Sequence, residues 1–332
     1  MRRSPDLGPA MIVTRTPSSP RERRSTATRT DHASVIVARP GPSASGGRVV
    51  PSRIDQQAPA PASVCIRCAK GTLVHLHGTK VPSAHGGGAV MSERRAELAR
   101  RLAELRSRIS RACLAAGRDP DSVDLLAVTK TVPASDVAVL LDLGLTAFGE
   151  NRVQEAATKV AAVAALRPAA RPSWHFVGSL QRNKARSVVR WADRVESVDS
   201  IRLADALDAA VRREQETGER TERLPILLQY SVDGDPQRGG VPREGLLPLA
   251  EHVTGCAGLR LAGLMAVAPL GSEPDAAFAD VAAAAARLRE RFPQATVVSA
   301  GMSGDLEAAI RHGSGVVRVG TALVGDRPLT SR

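Results

Sequence analysis

The chain has 332 residues, 43% of them hydrophobic, with 46 Lys and Arg against 34 Asp and Glu for a formal net charge of +12. That apolar fraction is enough for a sizeable core and excludes disorder throughout. No stretch approaches the ~18 consecutive apolar residues of a membrane span, and four Cys in this length do not make a disulfide framework.

The positive charge invites a nucleic-acid reading, but it is unevenly placed. Residues 1–90 hold 13 Lys and Arg against 4 Asp and Glu; residues 91–332 hold 33 against 30. The first segment is rich in Pro, Gly, Ser and Arg, as in Thr16-Pro17-Ser18-Ser19-Pro20, and has no helical or strand period. It is expected to be a disordered leader, with Met91 as the true start of the functional protein. An Arg-rich, acid-poor transit peptide is the alternative, but no amphipathic helix supports it. Cys65 and Cys68 with His75 and His77 suggest a zinc site, yet the two His stand only one residue apart where three to five is usual. The cluster reads as chance.

From Met91 the texture changes. Leu98, Leu102, Leu105, Ile109 and Cys113 recur every three or four residues, which predicts an amphipathic helix over 93–116 with Ser92 as its N-cap. Gly117 and Pro120 end it. Short apolar runs then alternate with helical stretches. Strands are predicted at 124–129, 147–149, 174–178, 195–198, 225–232, 261–267, 296–299 and 316–320. Helices are predicted near 134–142, 151–166, 181–191, 200–216, 242–254, 275–291 and 304–312. Eight such units over about 240 residues predict a closed (β/α)8 TIM barrel behind an N-terminal helix. An open doubly wound sheet is the alternative, weakened by the lack of Gly-x-Gly-x-x-Gly after the first strand. The expected organisation is leader 1–90, barrel 91–326 and tail 327–332.

Chemistry in such barrels gathers at the C-terminal strand ends. Lys130 ends the first run, where burial would favour a neutral, nucleophilic amine suited to Schiff-base chemistry. The bland reading is a lysine that snorkels to solvent. Glu150 and Asn151 end the second run, where they cap a helix or point into the mouth. His175 lies in the third run, a place where a histidine is usually a satisfied core residue. Gln181, Asn183 and Lys184 follow at the rim or on a helix surface. Ser299-Ala300-Gly301-Met302-Ser303-Gly304-Asp305 runs from strand to a helix start near Ser303, and Arg318-Val319-Gly320-Thr321 ends the eighth strand. Small residues and free N–H groups in these two neighbouring units suit a phosphate. An amine facing a phosphate cradle fits a ligand with an aldehyde at one end and a phosphate at the other. Pyridoxal 5′-phosphate has that shape.

The segments AVTK (127–130), FGENRVQE (148–155), WHFVGSLQRNK (174–184), LAGLMAV (261–267), SAGMSGD (299–305) and VVRVGTALVG (316–325) closely resemble the pyridoxal phosphate homeostasis protein family, the YggS/PROSC-like proteins. The resemblance covers about residues 91–326. It implies a single barrel like the N-terminal domain of alanine racemase, with pyridoxal 5′-phosphate held as a Schiff base on Lys130. It further implies phosphate contacts from Ser303, Gly320 and Thr321, with Ser299 and Met302 nearby. Arg318 would face the pyridine nitrogen, and Asn151 and His175 the cofactor's open side. Arg238-Gly239 stands where the family commonly has Lys-Ser, so that loop's role is left open.

A guanidinium donates, does not accept, and stays charged. Beside the ring nitrogen Arg318 would keep it unprotonated and the cofactor a weak electron sink. Racemases with this feature compensate with a second base, a tyrosine from an added domain; the single tyrosine here, Tyr230, lies within the fifth unit, and no such domain is expected after the eighth strand. The expectation is therefore a cytoplasmic, monomeric cofactor-binding homeostasis protein that serves pyridoxal-phosphate-dependent apo-enzymes and has no robust turnover. A slow amino-acid racemase is the alternative. The barrel's near balance of charge and 2% aromatic content argue against nucleic acid.

Overall fold

The computed structural model describes residues 85–325, with side chains from Met91 onward. The expectations for the leader up to residue 84, its Cys/His cluster and the tail lie outside the described residues; residues 85–90, expected to belong to the disordered leader, are instead the start of the first helix. A first helix, α1 (His85–Ala115), precedes β1 (Asp124–Val128), α2 (Ala134–Asp142), β2 (Ala147–Glu150), α3 (Val153–Leu166) and β3 (Ser173–Phe176). Then come α4 (Ala185–Val189), β4 (Arg194–Val198), α5 (Ile201–Glu216), β5 (Leu224–Tyr230) and α6 (Arg243–Gly255). The remainder is β6 (Leu259–Ala266), α7 (Pro274–Arg291), β7 (Val297–Ser299), α8 (Leu306–Arg311), β8 (Val316–Val319) and α9 (Thr321–Val324).

All eight strands are parallel and close as β1-β2-β3-β4-β5-β6-β7-β8. The seam pairs Asp124 with Val316 and Ala127 with Val319. This is the predicted (β/α)8 barrel; the open sheet is excluded by that pairing. The helices cover the barrel through apolar stripes set by their 3.6-residue period. On α1 the five predicted positions, Leu98, Leu102, Leu105, Ile109 and Cys113, are all buried. On α5 the stripe is Leu203, Ala204, Leu207, Ala210 and Val211. Pro274 at the first turn of α7 and the Glu273 carboxylate, which accepts from the Asp275 and Ala276 N–H groups, start that helix. None of the described helices is long and apolar enough to cross a membrane.

Three local expectations change. Ser92 is not an N-cap, because the helix is already running at that position. The helix after β7 begins at Leu306 rather than near Ser303. The Asp305 carboxylate accepts from the Met302 N–H and holds 302–305 as a turn instead. The fourth helical unit is broken into a single 3₁₀ turn at Arg182–Lys184 and the short α4.

Two backbones come close together at one glycine, where β6 pairs with β7. A Cβ on Gly263 would lie 1.9 Å from the Val297 carbonyl oxygen. Gly263→Ala should therefore destabilise the fold by about 3 kcal/mol or more, since neither strand can give way. Equilibrium urea unfolding measures this, and a loss under 1 kcal/mol would contradict the packing described.

Candidate functional site

The loops at the C-terminal mouth of the barrel enclose a cavity of about 1030 Å³. Lys130, Asn151, Met302, Ser303, Arg318, Gly320 and Thr321 line it together. His175 and Ser299, the other two candidates, do not; they are buried in the layer beneath. Arg94 and Asp136 also line the cavity, and neither drew notice in the sequence. The Arg94 guanidinium donates to Asp136 Oδ2 at 2.7 and 2.9 Å and to the Val324 carbonyl at 2.9 Å. It thereby ties α1 and α9 across one side of the mouth.

Lys130 is exposed to the cavity rather than buried. The expected burial of this side chain is therefore not found. Lys130 occupies the second position of a turn closed by the Val132 N–H donating to the Thr129 carbonyl at 2.9 Å. The third position, Thr131, has φ of 62°, the one positive value among the described non-glycine residues. A positive φ at that position marks a type II turn, where glycine is the usual occupant. A β-branched residue there stores strain of about 1–3 kcal/mol.

Across the cavity stand two turns with free donors. Among the described residues no acceptor meets the backbone N–H groups of Ser303, Gly304, Thr321 or Ala322. The first turn is fixed by Gly301, whose φ is +91° and whose Cβ would fall 2.6 Å from that of Ala309. Arg108 on α1 anchors it from outside by donating to the Ser303 carbonyl at 2.7 Å. Asn151 is seated by a close approach: a Cβ on Gly178 would lie 2.4 Å from the Asn151 carbonyl oxygen. Its Oδ1 is buried and has no protein partner among the described residues.

Beneath the cavity lies an ionic layer inside the barrel. Arg318 on β8 donates to the Ser299 carbonyl at 2.6 Å, to Ser299 Oγ at 2.8 Å and to the Ala266 carbonyl at 2.7 Å. Ser299 Oγ donates in turn to Glu196 Oε2 at 2.6 Å. Glu196 Oε1 lies 2.7 Å from His175 Nδ1, and His175 Nε2 lies 3.1 Å from Ser173 Oγ. The layer thus joins β3, β4, β6, β7 and β8 through the barrel's centre. Burial alone would raise the Glu196 pKa, but the hydrogen bond and charge of His175, the charge of Arg318 and the Ser299 hydroxyl outweigh it. The carboxyl is held below its usual range. Burial pushes the Arg318 guanidinium down, against the pull of Glu196 and Asp305.

The remaining sequence candidates are placed elsewhere. Glu150 neither caps α3, whose N-cap is Arg152, nor reaches the mouth. It is fully buried and paired with Lys159 at 2.7 Å. Gln181 and Asn183 line a separate shallow cavity of about 600 Å³ beside Asp199 and Arg202. In the loop left open by the sequence, Arg238 pairs with Asp233 at 2.5 Å and donates to the Val267 and Ala268 carbonyls at 3.0 Å. Arg238 therefore fastens the loop after β5 to the one after β6.

Known proteins share this architecture and much of this sequence. Residues 101–328 match the family described as alanine racemase, N-terminal domain. A pyridoxal phosphate homeostasis protein from Mycobacterium tuberculosis is 46% identical over 250 residues, covering 72% of this chain and 96% of the relative. One from Escherichia coli is 37% identical over 242 residues, covering 71% and 99%. The structure of PipY from Synechococcus elongatus with PLP bound is 36% identical, with a TM-score of 0.59 over 69% of this chain and all of that one.

Glu196→Ala would leave Arg318 buried without a counter-charge and should cost about 3–5 kcal/mol. Because the folded pKa of Glu196 lies below its ordinary value of 4.5, its contribution is present above that value and is lost as pH falls through the lower folded one. Urea unfolding between about pH 7 and pH 3 should therefore show a flatter acid limb for Glu196→Gln than for the parent. Parallel acid limbs would contradict the ionic layer.

Proposed function

The chain belongs to the pyridoxal phosphate homeostasis protein family, and from that premise we propose that it binds pyridoxal 5′-phosphate in the mouth cavity and acts in cytoplasmic cofactor homeostasis without robust turnover. The carrying observation is that one primary amine (Lys130), two turns with free N–H groups and the guanidinium groups of Arg94 and Arg318 line a single cavity. We place the function in the barrel, residues 91–326.

The residues present fit the cofactor. The free N–H groups of Ser303, Gly304 and Thr321, which line the cavity, with the Ser303 and Thr321 hydroxyls, suit a phosphate dianion. Lys130 supplies the amine for an aldehyde. The buried, unpartnered Asn151 Oδ1 offers an acceptor at the cavity wall. When bound, the cofactor would supply an electrophilic aldehyde carbon, and Lys130 Nζ is the primary amine that would meet it. Arg318 on the cavity floor donates and remains charged, so a ring nitrogen beside it stays unprotonated. His175 and Ser299 act from below, His175 by fixing Glu196 and Ser299 by joining Glu196 to Arg318.

The non-enzyme reading rests on where proton-transfer groups are held. The Tyr230 hydroxyl donates to Asp280 Oδ2 at 2.7 Å, and Tyr230 does not line the cavity. His175 is committed to Glu196 and Ser173. Asp136 is bound by Arg94 at 2.7 Å. A weak electron sink, with no uncommitted base at the cavity among the described residues, favours retention of the cofactor over turnover of amino acids. Cofactor-requiring apo-enzymes are the partners this reading supplies.

Lys130→Ala should abolish both the visible absorbance of protein mixed with pyridoxal phosphate and borohydride trapping; survival of both would overturn the assignment. Ser303→Ala removes a hydroxyl donor to a charged group, a loss of about 1.5–3 kcal/mol. Cofactor affinity should fall at least about tenfold while the melting temperature of the unloaded protein holds. Unchanged affinity by equilibrium dialysis would contradict the phosphate site. Racemisation of alanine at ordinary enzyme rates would overturn the carrier reading.

A further inference from the structure

Lys159, buried on α3, uses all three of its ammonium protons. It donates to the Thr129 carbonyl at 2.6 Å, to Glu150 Oε1 at 2.7 Å and to Glu155 Oε1 at 3.3 Å. Glu150 Oε1 also accepts from the Thr129 hydroxyl at 2.7 Å. Glu155 Oε1 also accepts from the Thr131 N–H. The residues on both sides of Lys130 are therefore gripped by one cluster on β2 and α3, in which Lys159 and Glu150 are buried and Glu155 is half-buried. Lys130 has no grip of its own: its side chain makes no hydrogen bond to the described residues, and its carbonyl accepts only from the Thr131 hydroxyl, at 2.6 Å.

A salt bridge this deep is a poor source of net stability, since desolvation offsets the attraction. Its geometry is better explained by what it holds. The turn needs a positive φ at Thr131, which a β-branched residue resists. The Glu155 carboxylate on the Thr131 N–H and the Lys159 ammonium on the Thr129 carbonyl hold both ends of that turn in place.

We propose that Lys159, Glu150 and Glu155 are positioning residues that set the Thr129–Val132 turn and thereby aim the Lys130 amine into the cavity. This rests on the cofactor reading above. The cluster does not touch the cavity: Glu150, Glu155 and Lys159 are absent from its lining. Their effect is predicted to pass wholly through the turn.

The test uses the full chain and pyridoxal phosphate itself, with the growth of visible absorbance after mixing as readout and the melting temperature of the unloaded protein as control. Glu155→Ala removes a half-buried side chain, so folding should survive, and adduct formation should slow at least about tenfold. Glu155→Gln keeps an acceptor and should recover part of the rate. Thr131→Gly, placed in the Glu155→Ala background, removes the strain that the carboxylate restrains and should restore most of the rate. A merely structural role for Glu155 predicts no such rescue. Lys159→Met with Glu150→Gln keeps the volume without an unpaired charge and should behave like Glu155→Ala. If that pair fails to fold, the Glu155 and Thr131 variants decide alone. Parental rates in Glu155→Ala, or no rescue by Thr131→Gly, would overturn the proposal. Failure of Lys130→Ala to remove the adduct would instead overturn the cofactor reading, so the two failures are distinguishable.

Discussion

The central constraint is a full charge pair inside the barrel. Most barrels of this kind fill their interior with layers of branched apolar side chains. Here Glu196 and Arg318 face one another across Ser299, under a cavity, with both side chains buried. A buried charge is tolerable only when its hydrogen-bonding capacity is met. The Glu196 carboxylate meets this with His175 and Ser299, and the Arg318 guanidinium with Ser299 and the Ala266 carbonyl. Strands β3, β4, β6, β7 and β8 must hold their mutual positions for those bonds to exist. The layer thus forms a rigid floor, and the loops above it are presented from fixed strand ends.

Above the floor, the two halves of the mouth solve different problems. On the β7 and β8 side the backbone does the work. Gly301, with its positive φ, lets the 302–305 turn form, and that turn and the one after β8 leave N–H groups facing the cavity. These groups suit an anion because they are fixed dipoles that need no counter-ion of their own. On the β1 and β2 side a side chain does the work, and a flexible lysine needs its backbone held. The strained turn at Thr131 and the Lys159 cluster behind it serve that end. Arg94 then joins the first helix to Asp136 and Val324, so the N-terminal helix is part of the mouth as well as of the core.

The fold was legible because its signals were local and repeated. Short apolar runs alternating with helical stripes are imposed by two periods, and eight repeats of the pair leave few topologies. The mouth residues from Lys130 to Thr321 were legible because they follow strands directly and sit among glycines and small polar residues. Glu196 was missed, although a lone acid in Arg194-Val195-Glu196-Ser197-Val198 breaks an apolar run and was itself a signal. Lys159 gave no such signal, since a lysine within a helical stretch usually faces solvent. Glu150 follows a strand directly, as a mouth residue would, and only the packing of α3 beside β2 turns its carboxylate toward Lys159. The Ser303 helix start failed because an aspartate three residues on competes for the same N–H groups, and spacing alone does not reveal which wins.

A cofactor site in the mouth is defined first by the side chain that meets the aldehyde. The most direct measurement is peptide mass mapping of the full chain after reduction of its pyridoxal phosphate adduct with borohydride. A stoichiometric phosphopyridoxyl group on Lys130 alone is the predicted result. A label spread over surface lysines, or placed on Lys184 or Lys159 with Lys130 unmodified, would contradict it.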